Sequence, residues 1–146
     1  KMRLVEAAKE YFGELRGKRI AVWGLSFKPR TDDVREAPSL VGVEALVEAG
    51  ATVFASDPIA LDNAASELEH LGEKVKFAHD EYEVLADADA LMIFTEWNQY
   101  RSPDFERIKE ELAAPVIFDG RNLYRPAKMQ ELGFHYDSIG RPTTTL

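Results

Sequence analysis

The sequence predicts an α/β fold, a doubly wound parallel sheet in three layers (α/β/α), and three observations carry that prediction. Short apolar runs alternate with stretches of helical periodicity along the whole chain. The runs are apolar on consecutive residues instead of every second one, and Gly, Pro or Asp punctuates nearly every change of element. Strands apolar on both sides are buried on both sides, as in a parallel sheet between two helix layers. Right-handed crossovers then give the doubly wound arrangement.

The elements follow in order. Residues 1–16 carry Met2, Val5, Ala8, Phe12 and Leu15 at spacings of three or four, one stripe on a lead-in helix. Gly17 and Lys18 break that pattern, and residues 19–24 read as a short buried strand. After an irregular polar stretch, Pro38 fits a first helical turn, Leu40, Val43, Leu46 and Val47 form an apolar face, and Gly50 supplies the stop. Residues 51–56 form a second strand closed by Asp57-Pro58, residues 61–71 a helix ended by Gly72, and residues 75–77 a third strand. Asp80 and Glu83 form a capping pair that predicts a short helix. Residues 90–94 are the most apolar strand. Ser102-Pro103 opens a helix carrying Phe105, Ile108 and Leu112, and residues 116–118 form a strand ending at Asp119-Gly120. A helix over 127–132 and a strand near 134–136 complete the domain.

Composition bounds the function. With 146 residues, 45% of them hydrophobic, the chain is long enough for one domain with a real core. A net charge of −8 is the wrong sign for a nucleic-acid partner. The absence of cysteine removes disulfides, thiolate metal sites and any thiol nucleophile. No apolar run is long enough for a bilayer and no signal segment opens the chain, so no membrane partner and a cytoplasmic setting are expected. A first residue that is Lys1 and not Met suggests a piece of a longer protein, and residues 142–146 read as a flexible tail.

In an open parallel sheet, ligands bind beyond the carboxyl ends of the strands, where the strand order reverses. With the order 3-2-1-4-5, the segments after the first, fourth and fifth strands would bring Lys28, Trp97 and Arg121 to one crevice. Lys28, Arg30, Arg35 and Arg121 on one rim of an acidic protein suit an anionic small molecule, best of all a phosphate. The helix start near residues 37–40 adds dipole character of the right sign, and Phe27 and Trp97 would wall a sugar or base. The alternative is that the cations pair with Asp32, Asp33, Glu36 and Glu96 and decorate a solvated loop.

Other motifs are weaker. The turn after the first strand holds only Gly24 where a self-contained NAD site needs three glycines. Asp57 stands where a ribose-binding acid would be expected, but with the glycines missing it reads better as a turn former before Pro58. His70, His79 and His135 are too far apart to read as a ligand set, so no metal is expected. Asp32-Asp33, Asp57, Thr95 and Lys28 echo the residue types of a phospho-acceptor receiver domain, but their order along the strands is wrong for one.

Gly24-Leu25-Ser26-Phe27-Lys28 through Thr31-Asp32-Asp33-Val34-Arg35-Glu36-Ala37-Pro38-Ser39 resembles the G-[LA]-x-F-K-x-x-T-D-D-x-R-E-[AS]-P-S signature of the UDP-glucose/GDP-mannose dehydrogenase family, in its C-terminal, UDP-binding domain. Thr95-Glu96-Trp97, residues 119–124 (Asp-Gly-Arg-Asn-Leu-Tyr), and Ser138-Ile139-Gly140-Arg141 match further blocks in the right order. The match favours the UDP-glucose branch over the GDP-mannose branch.

The resemblance implies a Rossmann-like domain that binds a UDP-sugar. The whole enzyme would oxidise the sugar's C6 alcohol to a carboxylate with two NAD, the catalytic residues and the main NAD site lying in other domains. Residues 1–16 would then be the tail of a central linker helix and residues 17–141 the nucleotide-sugar domain. Phe27, Lys28, Arg121 and Trp97 resemble sugar-nucleotide contacts, and Arg35 resembles an arginine that reaches across a cleft to NAD. Asp32 and Asp33 are assigned loop-holding roles. The expected partners are the enzyme's remaining domains and a second copy, in a homodimer or higher homo-oligomer. A regulatory nucleotide-binding module without catalysis is the competing reading.

Overall fold

In the computed structural model, residues 3–139 are described. Six parallel strands make one sheet: β1 (Arg19–Trp23), β2 (Thr52–Ser56), β3 (Val75–Phe77), β4 (Ala90–Ile93), β5 (Val116–Asp119) and β6 (His135–Ser138), in the order β3-β2-β1-β4-β5-β6. This contains the order 3-2-1-4-5 assumed above and adds the last strand beside β5. β1 lies between β2 and β4, pairing Ala21 with Phe54 on one side and with Leu91 on the other.

Two helix layers cover the sheet. On one face α1 (Arg3–Phe12), α2 (Pro38–Glu48) and α3 (Leu61–Glu67) bury Val5, Ala8, Leu46 and Ala64 against Val22, Met92 and Phe118. On the other, α4 (Phe105–Glu111) and α5 (Pro126–Glu131) bury Ile108 and Met129 against Trp23, Leu91 and Ile117. Alternate residues of one strand thus feed opposite cores, which is why the strands read as unbroken apolar runs. The first helix seats closely because residue 120 is glycine: a Cβ there would stand 2.9 Å from a methyl of Leu4.

Several boundaries differ from expectation for identifiable reasons. The lead-in helix ends at Phe12, and Gly13 follows with φ +80°. The helix expected over 61–71 ends at Glu67, where Leu68 leaves helical geometry, and continues as 3₁₀ turns over Glu69–Lys74 that are kinked at Gly72, with φ 62°. The Asp80–Glu83 pair caps no α-helix: Asp80 Oδ1 accepts the Tyr82 N–H, and only the 3₁₀ turn Glu83–Leu85 forms. Asp104, and not Ser102, caps α4 by accepting the Arg107 N–H. No described helix is long and apolar enough to cross a membrane. The expected tail at 142–146 and the end of the Ser138–Arg141 motif lie outside the described residues.

Candidate functional site

The carboxyl edge of the sheet is organised by two buried aspartates, each ending a strand. Asp57, which follows β2, is fully buried and accepts five N–H groups. Its Oδ2 takes the backbone N–H of Leu25 at 2.7 Å, that of Ser26 at 3.1 Å and the indole N–H of Trp97 at 3.1 Å. Its Oδ1 takes the backbone N–H groups of Ile59 at 3.0 Å and Ala60 at 2.8 Å. A carboxylate so supplied stays buried without a cation, because the donors replace its hydration. Both oxygens are engaged inside the fold, so Asp57 is a turn former and a cross-link, not a ribose ligand.

That cross-link fixes the base of the loop after β1. Gly24 takes φ +94° and runs so close to the next segment that a Cβ would stand 2.6 Å from the Thr95 Cβ. The Thr95 hydroxyl donates to the Ser26 carbonyl at 2.7 Å, and the Ser39 hydroxyl to the Leu25 carbonyl at 2.7 Å. Beyond this base the chain turns outward. Phe27 is 52% exposed, an unusual position for a phenylalanine, and Lys28 is exposed beside it. The Phe27 N–H donates to the Asp33 carbonyl at 2.7 Å and closes the loop.

Arg35 grips the same loop. Its guanidinium donates through Nε and Nη2 to the two Asp33 oxygens, each at 3.0 Å, and its backbone N–H adds a third bond. These bonds, the Arg35 charge and the Lys28 charge hold the Asp33 carboxyl down at about 2. Asp33 therefore holds the loop, and Asp32 does so through its carbonyl, which accepts from the Asn63 amide at 2.8 Å.

Asp119, which ends β5, is the second organiser. Its Oδ1 accepts the Arg121 N–H at 2.7 Å, and its Oδ2 the Leu123 N–H at 2.7 Å and the Tyr136 hydroxyl at 2.6 Å. The Arg121 side chain pairs with Glu96 at 2.7 Å. Partial burial works to raise the Glu96 carboxyl, but the Arg121 hydrogen bond, a backbone bond and the charges of Arg121 and Arg101 outweigh it, leaving it below the usual glutamate range.

The expected site residues share one edge but are spread over several depressions. Arg121 lines a cavity of about 230 Å³ with Arg3, Leu4, Pro38 and Phe94. Trp97 lines one of about 390 Å³ with Pro29, Arg30, Glu96 and Arg101, so Glu96 joins the two. Arg35 lines a third, with Asp32, Asp33 and Asn63. Lys28 lines neither the depression of Arg121 nor that of Trp97. The predicted pairing of cations with acids is found for Arg35 and Arg121, whereas no ion pair engages Lys28 or Arg30 among the described residues. Asp119, Tyr136 and Glu96 escaped the sequence reading as organisers; an Asp closing a strand at the ligand edge, as at Asp57-Pro58 and Asp119-Gly120, is the signal that would have found the first.

Comparison with known proteins gives a consistent picture. Residues 21–126 match the model of the UDP-glucose/GDP-mannose dehydrogenase family, UDP binding domain. The UDP-glucose 6-dehydrogenase of Pseudomonas aeruginosa is 48% identical over 142 residues, covering 95% of this chain and 31% of its own length. That of Rhizobium meliloti is 48% identical over 130 residues, covering 89% and 29%. Among solved structures, a UDP-glucose dehydrogenase from Pyrobaculum islandicum superposes with a TM-score of 0.78 at 32% identity, over 95% of this chain and 29% of that one. The chain thus spans about three tenths of the length of these relatives.

Proposed function

This chain belongs to the UDP-glucose/GDP-mannose dehydrogenase family, matching its UDP-binding domain, and from that premise we propose that it holds the diphosphate of a UDP-sugar at the carboxyl edge of the sheet. In the whole enzyme that grip serves NAD-dependent oxidation of the sugar's C6 alcohol to a carboxylate, with UDP-glucose as the substrate. The chain's own task is binding and orientation: holding the nucleotide fixes where the sugar carbon lies relative to groups supplied by the rest of the enzyme. No catalytic residue is assigned here.

The observation that carries this reading is a loop locked at its base by buried Asp57 while Phe27 and Lys28 stand exposed at its tip. A rigid base spares the cost of ordering the loop when ligand arrives. Lys28 supplies a mobile positive charge, Phe27 and the edge of Trp97 supply apolar surface, and Arg121 is a solvent-accessible fork, paired with Glu96, that can turn to phosphate.

NAD does not fit the turn after β1 as a primary site. The N–H groups of Leu25 and Ser26 are taken by Asp57, and Gly24 lies against Thr95, leaving no open glycine cradle for a pyrophosphate. Arg35 is assigned the lesser role of a contact reaching NAD held elsewhere, supported by a side chain that is 86% exposed despite its pairing with Asp33.

Calorimetric titration of the chain with UDP tests the proposal. Lys28→Ala removes one charge-assisted contact, about 1.5–3 kcal/mol, and should weaken UDP roughly ten- to a hundredfold. Unchanged UDP affinity in that variant removes Lys28 from the site. Tight NAD binding with no UDP binding would favour the regulatory module instead.

A further inference from the structure

The crossover from β3 to β4 leaves a hollow at the amino ends of the strands, the edge opposite the one described above. On that face of the sheet, among the described residues, the 3₁₀ turn Glu83–Leu85 packs against β1 and β2, where a full helix would have filled the space. Between the turn and β1, β2 and β3 lies a cavity of about 240 Å³. Its floor is apolar, with Phe54 and Val84, and its rim carries Arg19, Lys74 and Lys76 with a single acid, Glu73. Lys76 is the register neighbour of Phe54, so the two lie side by side on one face of the sheet.

The electrostatics of this hollow run against those of the chain. Acids outnumber bases by 26 to 18, so a cation has more opposite charges than like ones to pair with. Yet among the described residues none of the three cationic side chains enters an ion pair. The nearby carboxylate of Asp89 accepts the backbone N–H of Arg19 at 2.8 Å and no side-chain donor of the rim. Three unpaired cations around one concavity focus positive potential into it.

We infer that this hollow is a second binding site, for a compact phosphate-bearing molecule no larger than a hexose phosphate. The size follows from the volume, about 240 Å³ against the roughly 300–1,000 Å³ of most ligand pockets, which suits a small molecule and not a dinucleotide. The charge follows from the rim, where a guanidinium fork and two ammonium groups match phosphate oxygens. The apolar floor accommodates the carbon skeleton. The site lies at the opposite strand ends from Lys28 and Arg121 and does not depend on the UDP reading.

The test is an amide NMR titration of the isotope-labelled chain at near-physiological salt, with inorganic pyrophosphate and glucose 6-phosphate as separate probes. The expected result is saturable shifts centred on Arg19, Thr52, Lys74 and Lys76. Lys74→Glu with Lys76→Glu should weaken both probes at least roughly tenfold, while UDP-induced shifts at Phe27 and Arg121 persist. Lys76→Gln alone, with a smaller loss in the same direction, serves if the double reversal disturbs the fold. Glucose 6-phosphate saturating where pyrophosphate does not would support a site that also uses its apolar floor. Shifts that never saturate, shifts confined to the opposite edge, or a double reversal that leaves affinity unchanged would overturn the inference.

Discussion

Asp57 and Asp119 are both fully buried, both end a strand at the same edge of the sheet, and organise their surroundings differently. Asp57 gathers donors from three separate segments: the loop after β1, its own turn, and Trp97 beyond β4. Asp119 gathers two from its own turn and one from Tyr136 of the neighbouring strand. The first is a tertiary rivet, the second a local clamp with one outside brace. The loop bearing Lys28 is therefore rigid at its base because distant parts of the chain converge there. Arg121 owes its place to its own turn and to Glu96.

The comparison breaks most readily at Asp57. Asp57→Ala strips the acceptors from five N–H groups, four of them backbone, and should cost about 4 kcal/mol or more of unfolding free energy in urea titration. UDP affinity should fall together with stability, because the loop base is released. A loss below about 1 kcal/mol would show that water replaces the carboxylate and that no rivet exists. Asp119→Asn should cost less, about 1.5–3 kcal/mol, because the amide keeps one acceptor and the donors sit close in the chain. Tyr136→Phe isolates the outside brace and should account for about 1 kcal/mol of that loss. If Asp119→Asn proves costlier than Asp57→Ala, the ranking of rivet over clamp is reversed.

The same contrast explains what the sequence made legible. The inner strands β1, β4 and β5 announced themselves, because burial on both faces forces apolar residues at consecutive positions, whereas crossover handedness gives the doubly wound arrangement and leaves the strand order open. The loop carrying Phe27 and Lys28 was legible too, since residues after a strand's carboxyl end have a known place. The turn-forming role of Asp57 was legible before Pro58, but its cross-linking role was not, because the donors it gathers from Leu25 and Ser26 are backbone N–H groups, which every non-proline residue carries and no sequence displays. Glu96 and Arg121 lie 25 residues apart and meet only because β4 and β5 are neighbours. The helix expected at Asp80 stops after one 3₁₀ turn, where Ala86 leaves the helical region with ψ 117° and Asp87 takes φ 56°.

The smallest expected effect sharpens the comparison from the β6 flank. His135 opens β6 one residue before Tyr136 and stacks on Tyr11 of α1 with ring centroids 4.2 Å apart; its Nδ1 is buried without a partner. Burial lowers its pKa below the ordinary 6.5, and the nearby charge of Asp137 opposes that without overcoming it. A histidine whose pKa is lower folded than unfolded binds fewer protons in the native state, so stability rises with pH across the interval between the two values. Its contribution is fully present above about pH 6.5 and is lost as pH falls from there toward the folded value. Urea midpoints measured from pH 7.5 down to 5.5 should therefore decline in the parent chain. His135→Phe, which keeps a ring against Tyr11 and removes the titration, should flatten that part of the slope. Partial solvent exposure screens the effect, so the change should be smaller than that of the Asp119 variant. An identical slope in His135→Phe would assign the acid sensitivity elsewhere, and the contact between α1 and β6 would then be insensitive to protonation.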